Sequence, residues 1–350
     1  MSDFVFNAWH AAGFAEEIGE AVLARRLLDL PILFYRTAAG RAVAMLDQCP
    51  HRFASLSKGR RLGDQIECIY HGLRFDADGR CTRSPYQPET PDIGVRTFPL
   101  VERDGIAWIW PGDQALADPA AIPDHGHMFK PGYRTVAGHE TYRGDWQLSN
   151  DNLMDLTHLF WLHPSTIGGY KEEAGPAPGE EYHVRQEGDR IIGRNLTPNI
   201  TKTGVADNGV PPGVVYDQWN DIIWTCPGSL SFNIHAAPAG RRDVAPYMMQ
   251  SHLTTPAGPG ETHYFWAAVR SFDLDEAQDG KWAQFFGNIF RTEDAPIMED
   301  IEAQMGGRDL MELRPVILPR DKGAIMARRT IARRLARERG RGEAGAIAAE

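Results

Sequence analysis

The sequence predicts an α+β protein of two domains, β-rich at the N-terminus and mixed at the C-terminus. Three observations carry this. The chain has 350 residues, more than one ordinary core accommodates. Its first ~115 residues are short apolar runs separated by Gly- and Pro-centred turns. The remainder combines helical apolar spacing with further strand-like runs. Apolar residues at 42% and charged residues at 24% match a folded globular chain and argue against global disorder.

In the N-terminal part, "PILFYRT" and "AVAMLD" are joined by Ala38-Ala39-Gly40, which predicts a hairpin. "IECIY" and "LRFD" flank His71-Gly72, and "DADGR" supplies another Gly-centred turn. "GIAWIW" reads as a buried strand stopped by Pro111-Gly112, and the Pro- and Asp-rich "PGDQALADPAAIPD" marks the domain boundary. The expected domains are residues 1–115 and 116–350.

In the second domain, "DWQLSNDNLMDLTHLFWLH" has helical spacing and ends before Pro164. "SLSFNIHAAP", "YMMQSHLTTP" and "HYFWAAVRSF" read as strands. "KWAQFFGNIFRTEDAPIMEDIEAQM" is helical, with an interruption expected near Pro296. Two long loops, 168–181 and 197–213, have the length of lids over a pocket or of plain surface excursions. The basic "AIMARRTIARRLARERG" reads as a solvated helix docked by its Ile and Leu stripe.

A net charge of -10 argues against a nucleic-acid binder, whose footprint is basic. No apolar run approaches the ~20 residues that cross a bilayer. The N-terminal segment carries no secretory pattern, so a cytoplasmic, non-membrane protein is expected. Four cysteines are too few for a disulfide scaffold, which leaves metal ligation as the use for closely spaced ones.

Two of them sit in "CPHRFASLSKGRRLGDQIECIYHG": Cys49-x-His51, then Cys68-x-x-His71. Zinc fingers pair like with like, CxxC with CxxC or HxxxH. One Cys and one His in each loop instead fits a mixed-ligand [2Fe–2S] centre, two thiolates on one iron and two imidazoles on the other. Pro50 stiffens the first loop, and Gly72 lets the second turn sharply.

"CPHRFASLSKG" followed by "CIYHGLRFDADGRC" resembles the Rieske domain of ring-type non-haem iron oxygenases. "WIWPGDQALADPAAIPD" is similar to the stretch closing that domain in dicamba monooxygenase and vanillate O-demethylase oxygenase components, and toluenesulfonate methyl-monooxygenase subunits are relatives of the same family. Leu73 stands where many relatives carry Trp, and Cys81 and Cys226 lie outside the pattern as expected buried thiols. The resemblance implies a Rieske [2Fe–2S] β-domain and a helix-grip catalytic domain with a curved antiparallel sheet around an Fe(II) centre. It also implies a head-to-tail homotrimer.

Oxygenation needs an iron with open positions, held by two His and one carboxylate. In "NDNLMDLTHLFWLHP", Asp155 and His158 share a helix face. His163 is five residues on, roughly 140° around an ideal helix. Either a π-bulge or an unwound end must bring it into line, and Pro164 favours the unwound end. This run resembles the D-x-x-H-x4-H segment of the family, which implies that His158 and His163 bind iron. The same likeness makes Asp155 the bridge from His158 to His71 of a neighbouring subunit, with Asn152 near the iron. For the third ligand, "FRTEDAPIMEDIEAQ" offers Glu293, Asp294, Glu299 and Asp300. Resemblance selects Asp294, with Glu293 second.

Trp161, Phe232, Trp266, Trp282, Phe285 and Phe286 are candidate walls for an aromatic substrate. His252 matches a substrate-contacting His of the family, whereas Asn233 is one residue off a polar contact, an offset that reverses faces on a strand. The chain has no Gly-rich dinucleotide loop, so electrons come from a separate reductase, directly or through a ferredoxin. Arg52, Lys58, Arg60 and Arg61 are placed to steer an acidic redox partner. The implied activity is an O2-dependent monooxygenase that O-demethylates a methoxylated aromatic acid. Methyl hydroxylation, N-dealkylation and ring dihydroxylation are the alternatives, and a Rieske electron carrier is the non-enzyme one.

Overall fold

Alternating apolar runs and tight turns build the first unit, residues Phe6–Ile122 with Thr255–Pro259. The computed structural model describes residues 4–168, 179–200 and 214–347, the side chains of 341–347 excepted. Ten strands lie in this unit: β1 (His10–Phe14), β2 (Leu23–Leu27), β3 (Leu30–Arg36), β4 (Ala42–Leu46) and β5 (Arg60–Leu62). They continue as β6 (Gln65–Glu67), β7 (Arg74–Phe75), β8 (Cys81–Arg83), β9 (Leu100–Arg103) and β10 (Ile106–Ile109). The strands form three antiparallel sheets, β1-β10-β9, β2-β3-β4 and β5-β6-β7-β8. The predicted hairpin is β3–β4, closed by Thr37 N–H on the Arg41 carbonyl with Gly40 at φ +85°. "IECIY" is a strand only as far as Glu67. Its second half is the turn that carries Cys68 and His71, because a strand would send them to opposite faces. The core includes Leu33, Tyr35, Met45, Ile66, Phe75 and both cysteines of the motif.

The second unit comprises Pro123–Thr254 and the described residues from Gly260 on. Its sheet uses β11 (Arg134–Tyr142), β12 (Glu181–Glu187), β13 (Arg190–Ile200), β14 (Tyr216–Thr225), β15 (Ser229–Pro238), β16 (Met248–Gly258) and β17 (Glu261–Arg270). The order is β11-β17-β16-β15-β14-β13-β12, antiparallel at every pairing whose register is resolved. Every residue of β16 is buried, so this strand is covered on both faces. The helices are α1 (Trp146–Met154), α2 (Leu159–Leu162), α3 (Asp279–Ile289), α4 (Ala295–Met305) and α5 (Lys322–Ile347). With α3 against β11 and α5 against β12 and β13, the unit is the expected α+β helix-grip arrangement.

Two local departures from regular helix matter for function. α1 stops at Asp155, whose backbone is extended (φ −118°, ψ +103°), and a 3₁₀ turn, Leu156–His158, leads into α2. His163 caps α2, so the unwound end operates in this segment, as Pro164 suggested. The second helix behaves differently from expectation. It is not broken at Pro296; a π turn, Phe290–Asp294, links α3 to α4, and Pro296 sits in the first turn of α4. Proline cannot donate to the carbonyl four residues back, and the wider turn ahead of it removes that conflict. The long loops at 168–181 and 197–213 lie largely outside the described residues.

Candidate metal centres and substrate cavity

The two Cys–His loops adopt the same turn. Cys49 N–H donates to the Ala54 carbonyl at 2.9 Å and Cys68 N–H to Leu73 at 2.8 Å. In return, Phe53 N–H bonds the Cys49 carbonyl and Gly72 N–H that of Cys68. Both donors have left-handed backbones, Phe53 at φ +58° and Gly72 at +71°. A phenylalanine there is strained where glycine is not. Asp47 anchors the first loop, its carboxylate accepting from the Ser57 N–H and hydroxyl at 2.6 Å each.

This pairing turns both thiols inward, each cysteine 2% exposed, and both imidazoles toward the rim, 4.5 Å between ring centroids. Burial, with Cys68 beside it, pushes the Cys49 thiol up to about 11. A buried thiol in that state needs a cation beside it to become a thiolate. Two buried sulfurs and two rim nitrogens therefore fit a mixed-ligand [2Fe–2S] cluster.

In the second unit the 3₁₀ turn, the end of α2 and the π turn bring together His158, His163 and Asp294, one ligand atom of each lying within 4.8 Å of the others. Asp294 Oδ1 stands 3.3 Å from His163 Nε2 and 3.8 Å from His158 Nε2. Each imidazole donates through its other nitrogen: His158 Nδ1–H to the Asp155 backbone carbonyl at 2.6 Å, and His163 Nδ1–H to Glu293 Oε2 at 2.5 Å. Both Nε2 atoms are thereby left as acceptors facing one carboxylate, the donor set of a divalent cation. Burial pulls the His158 imidazole below its ordinary value, against the nearby Asp294 charge. The same burial acts on His163, but Asp294 and Glu293 outweigh it and raise its pKa.

Beside this triad lies a cavity walled by Phe232, Ile234, Met248, Phe286 and Phe290, with Gln218, Asn220, Gln250 and His252 among its polar lining. No Lys or Arg lines it among the described residues. Next to it a groove of about 550 Å³ runs over Asp155, His158, Trp161, Ile301, Val316 and Ile317.

Residues 8–99 match the Rieske [2Fe-2S] domain family, and residues 142–337 match the vanillate O-demethylase oxygenase C-terminal domain. The chain belongs to the Rieske non-haem iron oxygenases. The oxygenase component of dicamba O-demethylase from Stenotrophomonas maltophilia is 35% identical over 94% of this chain and 97% of its own length. A vanillate O-demethylase oxygenase subunit from a Pseudomonas species (strain ATCC 19151) is 35% identical over 88% of this chain and 95% of its own. The crystal structure of dicamba monooxygenase with non-heme iron and dicamba superposes with a TM-score of 0.84 at 35% identity, covering 97% of this chain and 99% of that one. The protein is an oxygenase component of the Rieske monooxygenase type, carrying a [2Fe–2S] cluster and a non-haem iron.

Within this Rieske oxygenase several expected residues sit differently from expectation. The Asp155 carboxylate does not reach His158; it caps the 3₁₀ turn, accepting from the Thr157 N–H at 2.9 Å and hydroxyl at 3.0 Å. Its backbone carbonyl holds the imidazole instead. Asn152 Nδ2 donates to Asp294 Oδ1 at 3.2 Å. Asn233 pairs with Asp221 and Met249 on the sheet face away from the cavity, the reversal its one-residue offset foretold. Phe285 and Trp282 belong to the aromatic stack with Phe286 rather than to the cavity wall, and Trp161 is exposed on the groove. His252 lines the cavity, yet both ring nitrogens are engaged, Nε2–H on Gln250 Oε1 at 3.1 Å and Nδ1 by the Tyr264 hydroxyl at 2.5 Å. Burial drives its pKa down to about 3, so it works as a neutral ring. Cys81 and Cys226 are half-buried rather than buried. Arg61 is not a free surface charge: its guanidinium donates to the carbonyls of Glu20, Arg36 and Gly63. Arg52, Lys58 and Arg60 are exposed.

Phe290 is a residue that sequence reasoning missed, and Glu293, its second choice for the third ligand, instead holds Nδ1 of His163. A signal existed for Glu293, since an acidic doublet ahead of a proline gives two adjacent carboxylates one turn in which to face the same partner.

Proposed function

We propose that this oxygenase O-demethylates a methoxylated aromatic acid, with residues 1–115 receiving electrons and residues 116–350 performing the oxygenation. The single observation that carries this is an apolar, aromatic-walled cavity opening beside His158, His163 and Asp294, in a chain 35% identical to demethylase components along most of its length. In this reading Cys49, His51, Cys68 and His71 hold the cluster, and His158, His163 and Asp294 hold the iron.

When bound, the iron supplies O2 activation at an open coordination position, drawing electrons that enter through the cluster. The net change is R–O–CH3 with O2, two electrons and two protons giving R–O–CH2OH and water. The hemiacetal then loses formaldehyde and leaves the phenol. The chain's part is positioning. Asn152 orients the Asp294 carboxylate, Glu293 and the Asp155 carbonyl lock the two imidazoles, and the walls from Phe232 to Phe290 exclude water and hold the ring.

A homotrimer follows from the same reading. Phe53 and Tyr70, 72% and 60% exposed, crown the cluster loops, and Trp161 and Val316, 60% and 85% exposed, line the groove over His158. Exposed apolar surface of this kind beside both redox centres suits docking of one copy's cluster loops into the groove of the next. There the Asp155 carboxylate would accept from His71 of the neighbouring copy. Electrons come from a separate reductase, directly or through a ferredoxin, in the reducing cytoplasm. No helix among the described residues is long and apolar enough to cross a membrane.

N-dealkylation is the second reading, favoured by 34% identity to the oxygenase component of a chloroacetanilide N-alkylformylase from Rhizorhabdus wittichii. A panel of methoxybenzoates and N-alkyl anilides, with a generic reductase and NADH, decides. Formaldehyde and a phenol from the first group support O-demethylation; an amide or aniline product with no phenol overturns it.

A further inference from the structure

The cavity holds hydrogen-bonding capacity that no group among the described residues uses. On β14, Gln218 and Asn220 both line the cavity while Trp219 between them and Asp221 after them face away. Asn220 stands beside Ile234 on β15 and Asn195 on β13. Asn195 is satisfied, since its Oδ1 accepts from Arg320 at 3.0 Å. The Asn220 Oδ1 is buried with no hydrogen-bond partner among the described residues. Of the other polar groups of the wall, His252 is committed to Gln250 and Tyr264, and Asn152 to Asp294. Buried side-chain oxygens in folded chains nearly always find a partner, so one without calls for a group the described residues do not supply.

We propose that Asn220, with Gln218 beside it, is a specificity-determining residue that holds a hydroxyl on the aromatic ring of the substrate. The inference rests on reading the site as one for a methoxylated aromatic, and it adds a second polar substituent to that class. A hydroxyl both donates and accepts, so it satisfies either end of the amide. The unpartnered Oδ1 calls for a donor, which a hydroxyl supplies and a carboxylate does not. The strand also sets the distance scale. Asn220 and the triad are carried by different walls of one cavity, so a ring gripped at its hydroxyl presents another edge to the metal-binding side.

The test is equilibrium binding, by calorimetry, of 3-methoxybenzoate and its ring-hydroxylated isomers to the intact oxygenase and to Asn220→Leu. Leucine has the branched shape and heavy-atom count of asparagine and would adjoin Ile222 and Ile234, so the fold should tolerate it. The cluster's visible spectrum and the iron content serve as controls, and Asn220→Ala replaces the variant if those fail. In the unaltered protein at least one hydroxylated isomer binds about tenfold or more tighter than the parent compound. In the variant the ratio of those two dissociation constants falls to about one. A ratio near one at every ring position in the unaltered protein, or one that survives in the variant, overturns the proposal, as does failure of every compound to bind. Formaldehyde release from the same compounds is scored separately. Its absence with an Asn220-dependent hydroxyl preference would remove the demethylase reading and leave this contact standing.

Discussion

Glu293 Oε2 lies 2.5 Å from Nδ1 of His163 while the adjacent Asp294 places Oδ1 3.3 Å from Nε2 of the same ring. One imidazole is held at both nitrogens by two consecutive carboxylates. An α-helix fans successive side chains apart by about 100°; the π turn at Phe290–Asp294 narrows that fan and makes the double contact feasible. The Thr166 hydroxyl donates to the same Glu293 oxygen at 2.8 Å, which fixes the carboxylate in turn. Replacing Glu293 with Gln keeps an acceptor but removes the charge. Iron affinity should fall by about 10- to 100-fold, with the cluster spectrum unchanged. Metal titration against a competing chelator measures this, and wild-type affinity in the variant would refute the orienting role.

The two carboxylates should separate cleanly in a second experiment. The unaltered protein should carry about three irons and two acid-labile sulfides per chain, and Asp294→Asn about two of each. If Asp294→Asn kept its third iron and Glu293→Gln lost it, the ligand and the orienting residue would have to be exchanged. Two irons in the unaltered protein would instead support a simple electron carrier.

A buried ion pair supports the helix that precedes Asp155. Arg328 on α5, its side chain 5% exposed, donates to Asp151 on α1 through Nε at 2.8 Å and Nη2 at 2.6 Å. Asp151→Asn leaves the guanidinium buried beside a neutral group and should cost about 3 kcal/mol. Asp151→Leu with Arg328→Met should restore most of it, because the desolvation penalty disappears along with the pair. Urea denaturation of the three variants checks both statements.

Two buried histidines set an acid limit on stability. His125 lies between the Ser251 and Ser229 hydroxyls, 2.8 Å from each, and burial lowers its pKa to about 3, as it does for His252. Between pH ~6.5 and 3 the unfolded chain binds protons at these positions and the folded chain does not. Stability is therefore fully present above pH ~6.5 and declines on acidification, by on the order of 3 kcal/mol per histidine at pH ~4. Urea midpoints at pH 7 and 4.5 should show the decline, and His125→Gln should flatten it. An unchanged slope in that variant would exclude His125 as a source.

Charge steering now rests on three residues. Neutralising Arg52, Lys58 and Arg60 together should slow reduction by an acidic partner and weaken its salt dependence. Arg61→Gln should instead lower stability, because three backbone carbonyls lose their donor. Stopped-flow reduction across ionic strengths separates the two effects, and an unchanged salt slope in the triple variant would remove the steering role.

Much of the fold could be read directly. The β3–β4 hairpin, β10, and the strands β15, β16 and β17 follow from alternating apolar residues bounded by Gly and Pro. The less legible places were those where the chain leaves regular geometry. Cys68 looked like strand and is turn. Pro296 looked like a helix break, but the accommodation occurs one turn earlier, as a π turn. Residue order reports local preference, whereas these deviations answer to what packs against the segment.

The residues that carry chemistry were declared by the chain itself: Cys49, His51, Cys68 and His71 in two short loops, His158 and His163 beside Pro164, and an acidic doublet near Pro296. Local spacing suffices for such groups because a ligand loop is only a few residues long. Their division of labour was decided in three dimensions. Asp294 faces both Nε2 atoms and Glu293 an Nδ1, Asp155 offers His158 its carbonyl rather than its carboxylate, His252 is already satisfied, and Asn220 is not. Which atom of a side chain is left over depends on what packs beside it, for His163 a carboxylate 130 residues away, and only the folded chain brings such groups together.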